Sequence, residues 1–181
     1  MRTIISFLFI VMATFTIKAQ GIYLGGSINI WHDKDADQTV TSFVPEIGYN
    51  INKKWSIGTT LIYFRYPNTL LSDDNKPIDT HLNGFAISPY VRFSYYENEI
   101  VRLFVDGTLG FSTQKYDYDG AKASNGFEIG AIPGIAIKLN NHFSLNAKCG
   151  FLGYKDNYRS ESAYGLALSS LSLQFGFLYE F

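Results

Sequence analysis

From Gly21 onward, apolar positions recur every second residue, the period of strands with one greasy and one polar face. No capped stripe of 3.6-residue period competes with that pattern. The last stretch is the clearest: Leu171, Leu173, Phe175, Phe177, Tyr179 and Phe181 alternate with Ser170, Ser172, Gln174, Gly176, Leu178 and Glu180. The same parity predicts eight strands, over about 21–31, 41–51, 55–66, 82–96, 100–115, 125–139, 143–154 and 164–181. The connections 52–54, 97–99 and 140–142 are short and carry turn residues, whereas 32–40, 67–80, 116–124 and 155–163 are longer and rich in Asp, Asn, Ser and Lys. Tight turns at one end and long polar loops at the other predict an all-β fold: an eight-stranded antiparallel up-and-down transmembrane β-barrel, with both termini on the short-turn side. Pro45, Pro89 and Pro133 are spaced 44 residues apart, one strand pair per interval. Proline cannot donate to a ladder, so these three are expected at bulges or ladder-free positions.

Which face meets lipid follows from what each face carries. One face runs through Leu24, Ile28, Ile47, Ile57, Val91, Leu109, Phe111, Ile129, Ile135, Ile137, Leu145, Cys149 and Phe151, and its only charge is Arg65, at a strand end. A charge at the bilayer midplane costs about 2–4 kcal/mol in such barrels, so this face is expected to point outward into hydrocarbon. The other face is glycine, serine, threonine and asparagine with eight charges, four of each sign: Glu46, Arg92, Arg102, Asp106, Glu128, Lys138, Lys148 and Glu180. Inside a narrow barrel such charges must pair, because an unpaired buried charge costs several kcal/mol. Arg92 or Arg102 with Glu46, Asp106 or Glu128 is the expected cross-strand network, and Tyr23, Trp31, Ile62, Phe64, Tyr90 and Phe104 are expected to fill the remaining lumen. Aromatics gather toward strand ends (Tyr49, Trp55, Tyr63, Tyr95, Phe143, Tyr154, Tyr179, Phe181), as in the girdles of an outer-membrane barrel.

Composition narrows the picture further. The 181 residues are 46% apolar and 17% charged with a formal charge of −1, which removes the basic stripe that nucleic-acid binding needs and excludes a disordered chain. One cysteine leaves no disulfide framework. Residues 1–19 read as a secretory signal peptide: Arg2 opens it, Ile4–Ala13 form its apolar core and Ala19 stands at the cleavage point, leaving 20–181 as the barrel domain.

The final residues, Gln174-Phe175-Gly176-Phe177-Leu178-Tyr179-Glu180-Phe181, resemble the terminal assembly signal of outer-membrane β-barrels, with Gln174, Gly176, Tyr179 and Phe181 at its defining positions. Together with the leader and the strand count, the chain from Gly21 resembles the small outer-membrane barrels of the OmpA-like and OmpX-like kind. That resemblance implies export, insertion by the barrel-assembly machinery, contact with outer-membrane lipid, and residence in a Gram-negative outer membrane. Full-length OmpA-type proteins add a peptidoglycan-binding domain; here a barrel alone is expected.

Candidate chemistry is thin. Lipid A-modifying enzymes share this architecture and need His, Ser and a carboxylate at a rim. The chain offers His32 with Asp33, His81 with Asp79 and Ser88, and His142 in a turn, none in a recognisable motif. Asp33-Lys34-Asp35-Ala36-Asp37 opens like a calcium loop, but Gln38 replaces the turn glycine and Val44 stands at the closing position. The expectation is therefore a non-enzymatic surface protein with no cofactor or metal. Its four polar loops, among them Tyr116-Asp117-Tyr118-Asp119-Gly120, would meet an extracellular ligand or protein. A narrow pore and a lipid-modifying enzyme are the alternatives.

Overall fold

The computed structural model describes residues 21–33, 38–71, 77–118, 120–168 and 173–181. The leader 1–19 and Asp35, Ala36 and Asp37 of the acidic loop lie outside the described residues, as do the side chains of Trp31 and His32. Ten strand segments follow one another: β1 (Ile22–Asp33), β2 (Gln38–Asn50), β3 (Trp55–Leu71), β4 (Pro77–Glu97), β5 (Val101–Tyr116), β6 (Ser124–Lys138), β7 (Phe143–Lys148), β8 (Phe151–Tyr158), β9 (Glu161–Ala167) and β10 (Gln174–Glu180). Neighbours from β1 to β6 pair antiparallel in chain order. β6 then pairs with β7 over its C-terminal half and with β8 over its N-terminal half; β8 pairs with β9, β7 with β10, and β10 closes onto β1. The ten segments thus make eight staves of a closed antiparallel barrel.

The seventh stave is broken between β7 and β8, and the break has a cause. On β6, the sheet partner shifts by one residue between the Gly134↔Lys148 pair and the Ala131↔Leu152 pair. Cys149 and Gly150 fill the interval, Gly150 in the left-handed region at φ 74, where its missing Cβ avoids the Ala167 carbonyl oxygen 2.8 Å away. A one-residue slip reverses every side chain beyond it. Phe151, expected outward, therefore points into the lumen under the Lys155 ammonium, 4.9 Å from the ring centroid, and Leu152 and Tyr154 take the outer face instead.

Elsewhere the two faces fall as the alternation predicts. Ile57, Ile129, Leu145 and Phe177 are about half exposed on the outside, while Tyr23, Phe64 and Phe104 are buried within. Glycines admit these rings: a Cβ on Gly84 would lie 2.2 Å from Phe64, and one on Gly134 2.4 Å from Phe104. At the short-turn end, Trp55 packs on Phe93 at 4.7 Å, and Tyr179 meets both Phe143 and Phe181 edge-on at 4.9 Å, a girdle at the apolar boundary.

Each of the three prolines sits against a ladder gap on one side only. Pro45 pairs with Gly26 of β1, but the β2–β3 ladder skips Val44 and Pro45. Pro89 pairs with Thr59 of β3, but the β4–β5 ladder skips Ser88 and Pro89. Pro133 pairs with Val105 of β5 and faces the β7–β8 break, where its carbonyl accepts the Cys149 N–H at 3.1 Å.

Strands reach further into the polar connections than the alternation indicated. β1–β2 and β3–β4 continue in register to Asp33↔Gln38 and Leu71↔Pro77, and 155–163 is a hairpin turning at Arg159–Ser160. Polar residues hide these extensions, because a strand standing clear of the hydrocarbon has no greasy face to declare itself.

Candidate functional site

The lumen is built in three layers of inward side chains. The lowest, at the short-turn end, gathers Arg102, Glu97, Lys138 and Glu180. Arg102 reaches Glu97 Oε1 and Glu180 Oε1, each at 3.2 Å, and Lys138 Nζ bonds to Glu97 as well. Asn50 donates to Glu180 Oε2 at 3.4 Å, tying the second stave to the last.

The middle layer crosses the barrel. Arg92 on β4 donates to Asp106 on β5 through Nε at 2.7 Å and Nη2 at 2.9 Å, and to Glu46 on β2 through Nη2 at 2.9 Å. Lys148 on β7 approaches the same two carboxylates from the opposite wall, 3.2 Å from Glu46 Oε2 and 3.0 Å from Asp106 Oδ2. Tyr90 donates to Glu46 Oε1 at 2.5 Å and shares a 2.6 Å hydroxyl contact with Tyr23. The Arg92 guanidinium lies 4.1 Å from the Phe104 centroid, stacked as well as bonded. Two cations and two anions sum to zero, and Arg92 is only 2% exposed. Buried charges persist in this way because all four carboxylate oxygens of Glu46 and Asp106 meet Arg92 or Lys148.

The upper layer comes from the β8–β9 hairpin, whose tip turns inward over the mouth. Asn157, Arg159 and Ser160 all adopt positive φ, at 49°, 54° and 65°. Gln114 donates to the Asn157 carbonyl at 2.7 Å, and the Arg159 N–H to Ser112 Oγ at 3.0 Å. Tyr158 is carried into a core with Ile62, Phe64, Leu82 and Ala86, its hydroxyl 2.8 Å from Ser88 Oγ. The Arg159 guanidinium covers Phe64 and Tyr66, 5.1 and 5.5 Å from their centroids. Between the middle and upper layers lies a cavity of about 610 Å³ whose walls include Thr60, Ser88, Glu128, Asn146 and Lys155.

Of the eight inward charges read from the sequence, Glu46, Arg92, Asp106 and Lys148 meet one another, while Arg102, Lys138 and Glu180 meet at the lower end. Glu128 is buried apart from both groups, opposite Lys155 in register. Glu97, Lys155, Tyr158, Arg159 and Glu161 were missed because they fall in stretches read as turn or loop. Gly150 inside the strand pattern was the available sign of a register break. Of the terminal positions, Gly176 lies against Gly26 and Tyr179 and Phe181 stand in the girdle; Gln174 pairs with Lys148 in register. His81 and Ser88 are separated by an odd number of residues on one strand and so stand on opposite faces, which prevents their side chains from cooperating. His142 stacks on Tyr179 at 5.7 Å, with its ring nitrogen 2.9 Å from the Glu180 carbonyl oxygen. Among the described residues, no group of three or more His, Cys, Asp or Glu could hold a metal ion.

An apolar exterior around a charged interior is the reverse of a soluble barrel, and the comparisons agree with an outer-membrane barrel fold. The N-terminal β-barrel domain of Pseudomonas aeruginosa OprF superposes with a TM-score of 0.56 at 12% identity, over 90% of this chain and 98% of that one. Neisserial surface protein A superposes with a TM-score of 0.53 at 13% identity, over 91% and 98%. At such identities these likenesses speak for the fold alone. No curated protein matches the sequence. The family described as outer membrane protein beta-barrel domain matches residues 4–181. The chain therefore belongs to that family, and is an integral β-barrel protein of the Gram-negative outer membrane.

Proposed function

We propose that this barrel is a non-enzymatic structural and surface-interaction protein rather than a channel, a rigid plugged scaffold that displays its long hairpins outside the cell. The middle layer carries this reading. Arg92, Glu46, Asp106 and Lys148 span the lumen from β2, β4, β5 and β7, and an ion passing along the axis would have to break a fully paired, buried quartet. The inward turn of Tyr158 and Arg159 supports it at the other end. In this reading Gln174, Gly176, Tyr179 and Phe181 serve recognition by the assembly machinery, residues 1–19 are removed on export, and the strand extensions toward Asp33, Leu71 and Tyr116 present the partner-binding surface. The test is a planar-bilayer recording of the purified barrel: no unitary conductance is expected from the native protein, and steady ion-selective steps would overturn the reading in favour of a narrow pore.

A further inference from the structure

Two cations stand on the outer side of the barrel wall at its loop end. Arg65 on β3 pairs in register with Asn83 on β4, and Asn83 with Lys115 on β5, so the three form one row across adjacent strands. They share the outward parity of Tyr63, Phe85 and Phe111, and Arg65 and Lys115 are exposed. Neither cation has an ion pair among the described residues, and Asn83 Oδ1, between them, has no hydrogen-bond partner there. Farther round the wall, the outward residues toward the loop end of β6 and β8 are Asn125 and Asp156, so the positive charge belongs to the β3–β5 flank.

The height of this row follows from the register. Arg65 and Asn83 each lie ten residues beyond the girdle pair Trp55–Phe93. At ~3.3 Å per residue and a strand tilt of about 40°, that is a rise of roughly 25 Å, the full height of the apolar band. One outward step below the row, Phe43, Tyr63 and Phe85 pair side by side as exposed rings, the girdle of the opposite boundary. Short turns face the periplasm, so Arg65, Asn83 and Lys115 stand among the headgroups of the outer leaflet, where an outward cation meets lipid phosphate.

The chemistry of the row selects its occupant. Two strand spacings separate Arg65 from Lys115, roughly 10 Å between backbones, a gap that two long side chains close on a single phosphate group. Beside Lys115 lies a recess of about 540 Å³, walled also by Asn83, Tyr116, Asp117 and Tyr118. Its rim is held in place: the Asp117 N–H donates to the His81 carbonyl at 2.9 Å, and Thr80 Oγ1 to the Asp117 carbonyl at 3.2 Å. An amide, an exposed carboxylate and an exposed tyrosine ring suit the hydroxyls and the flat face of a sugar, whereas the carboxylate repels a second phosphate at that point. We propose that the β3–β5 flank holds the phosphorylated sugar headgroup of an outer-leaflet glycolipid. Its phosphate lies between Arg65 and Lys115, its sugar rests against Asn83, Asp117 and Tyr118, and its acyl chains descend over Phe43, Tyr63 and Phe85. This is independent of whether the lumen conducts, so a bilayer recording and a lipid-binding measurement fail separately.

The test is native mass spectrometry of the purified barrel released from detergent micelles that carry hexa-acyl lipid A with both glucosamine phosphates. Retention of one lipid per barrel is expected. Arg65→Gln combined with Lys115→Gln should weaken it at least about tenfold, as loss of two charge-assisted contacts requires. Lys53→Gln with Lys54→Gln makes the same change of charge on an exposed short turn at the other end and should leave retention unchanged. Lipid A stripped of its phosphates, and cardiolipin, which has two phosphates and no sugar, should both be held more weakly than the intact lipid. Heat-modifiable migration reports that each variant is folded, and all four substituted lysine and arginine positions are exposed. A folded Arg65/Lys115 double variant with undiminished retention, an equal loss in the Lys53/Lys54 variant, or either comparison lipid held as tightly as intact lipid A would overturn the proposal.

Discussion

Replacing Arg92 by methionine tests the middle layer most directly. Methionine keeps much of the length of the side chain and its packing against Phe104, and removes the charge. The native guanidinium donates at 2.7 and 2.9 Å to Asp106 and at 2.9 Å to Glu46, so the variant leaves two buried carboxylates facing a single cation, Lys148. Breaking a buried pair from one side costs about 3–5 kcal/mol, because the stranded charge has lost its water and its partner together. Both carboxylates retain Lys148, but Asp106 loses two contacts whereas Glu46 loses one and keeps the Tyr90 hydroxyl, so most of that loss should fall on Asp106. The double variant Arg92→Met with Asp106→Asn removes the stranded charge and should recover a coupling of about 2 kcal/mol relative to additivity. Urea unfolding of the barrel refolded in lipid vesicles, followed by tryptophan fluorescence and heat-modifiable migration, measures both. A loss under about 1 kcal/mol in the single variant, or strict additivity in the double, would refute the claim that these charges are held by one another.

Three further outcomes are expected. Ile87→Arg places a charge on the outer face about six residues above the Trp55–Phe93 pair, and should cost about 2–4 kcal/mol in the same vesicle assay, whereas Gly120→Arg, at an exposed loop tip, should cost far less. Gly150→Ala must accept both a left-handed backbone and a Cβ 2.6 Å from Leu168 Cδ2, so its unfolding midpoint should fall well below that of Gly120→Ala, which has φ 84 and nothing within 4 Å; equal midpoints would refute the role given to the Cys149–Gly150 slip. Phe181→Ala removes one edge contact to Tyr179, a small loss in vitro, but in cells should sharply lower the amount of barrel in the outer membrane; normal surface levels would remove the assembly role.

What could be read without coordinates was whatever lay in hydrocarbon. Between Phe143 and Lys148, or from Val101 to Phe111, lipid on one side and a packed lumen on the other enforce strict alternation, and parity alone places each residue. Arg92, Glu46 and Asp106 were legible as inward charges, but their choice of one another over Arg102 and Glu128 depends on stagger between strands, which parity does not encode. Phe151 went to the wrong face because a single extra residue at Cys149–Gly150 reverses everything after it. The turn of Tyr158 and Arg159 into the mouth was invisible for a different reason. Its sequence is polar and looks like a loop, and only the three left-handed residues Asn157, Arg159 and Ser160 reveal that the chain doubles back inward.

The placement of the three prolines reaches beyond local geometry. Each interruption faces the following strand, so β1–β2, β3–β4 and β5–β6 are continuous ribbons joined to their successors by weakened seams. Amide exchange should begin along those seams, and the ribbon rather than the single strand becomes the natural quantum in which such a wall is inserted, loosened or, over evolutionary time, lengthened by duplication.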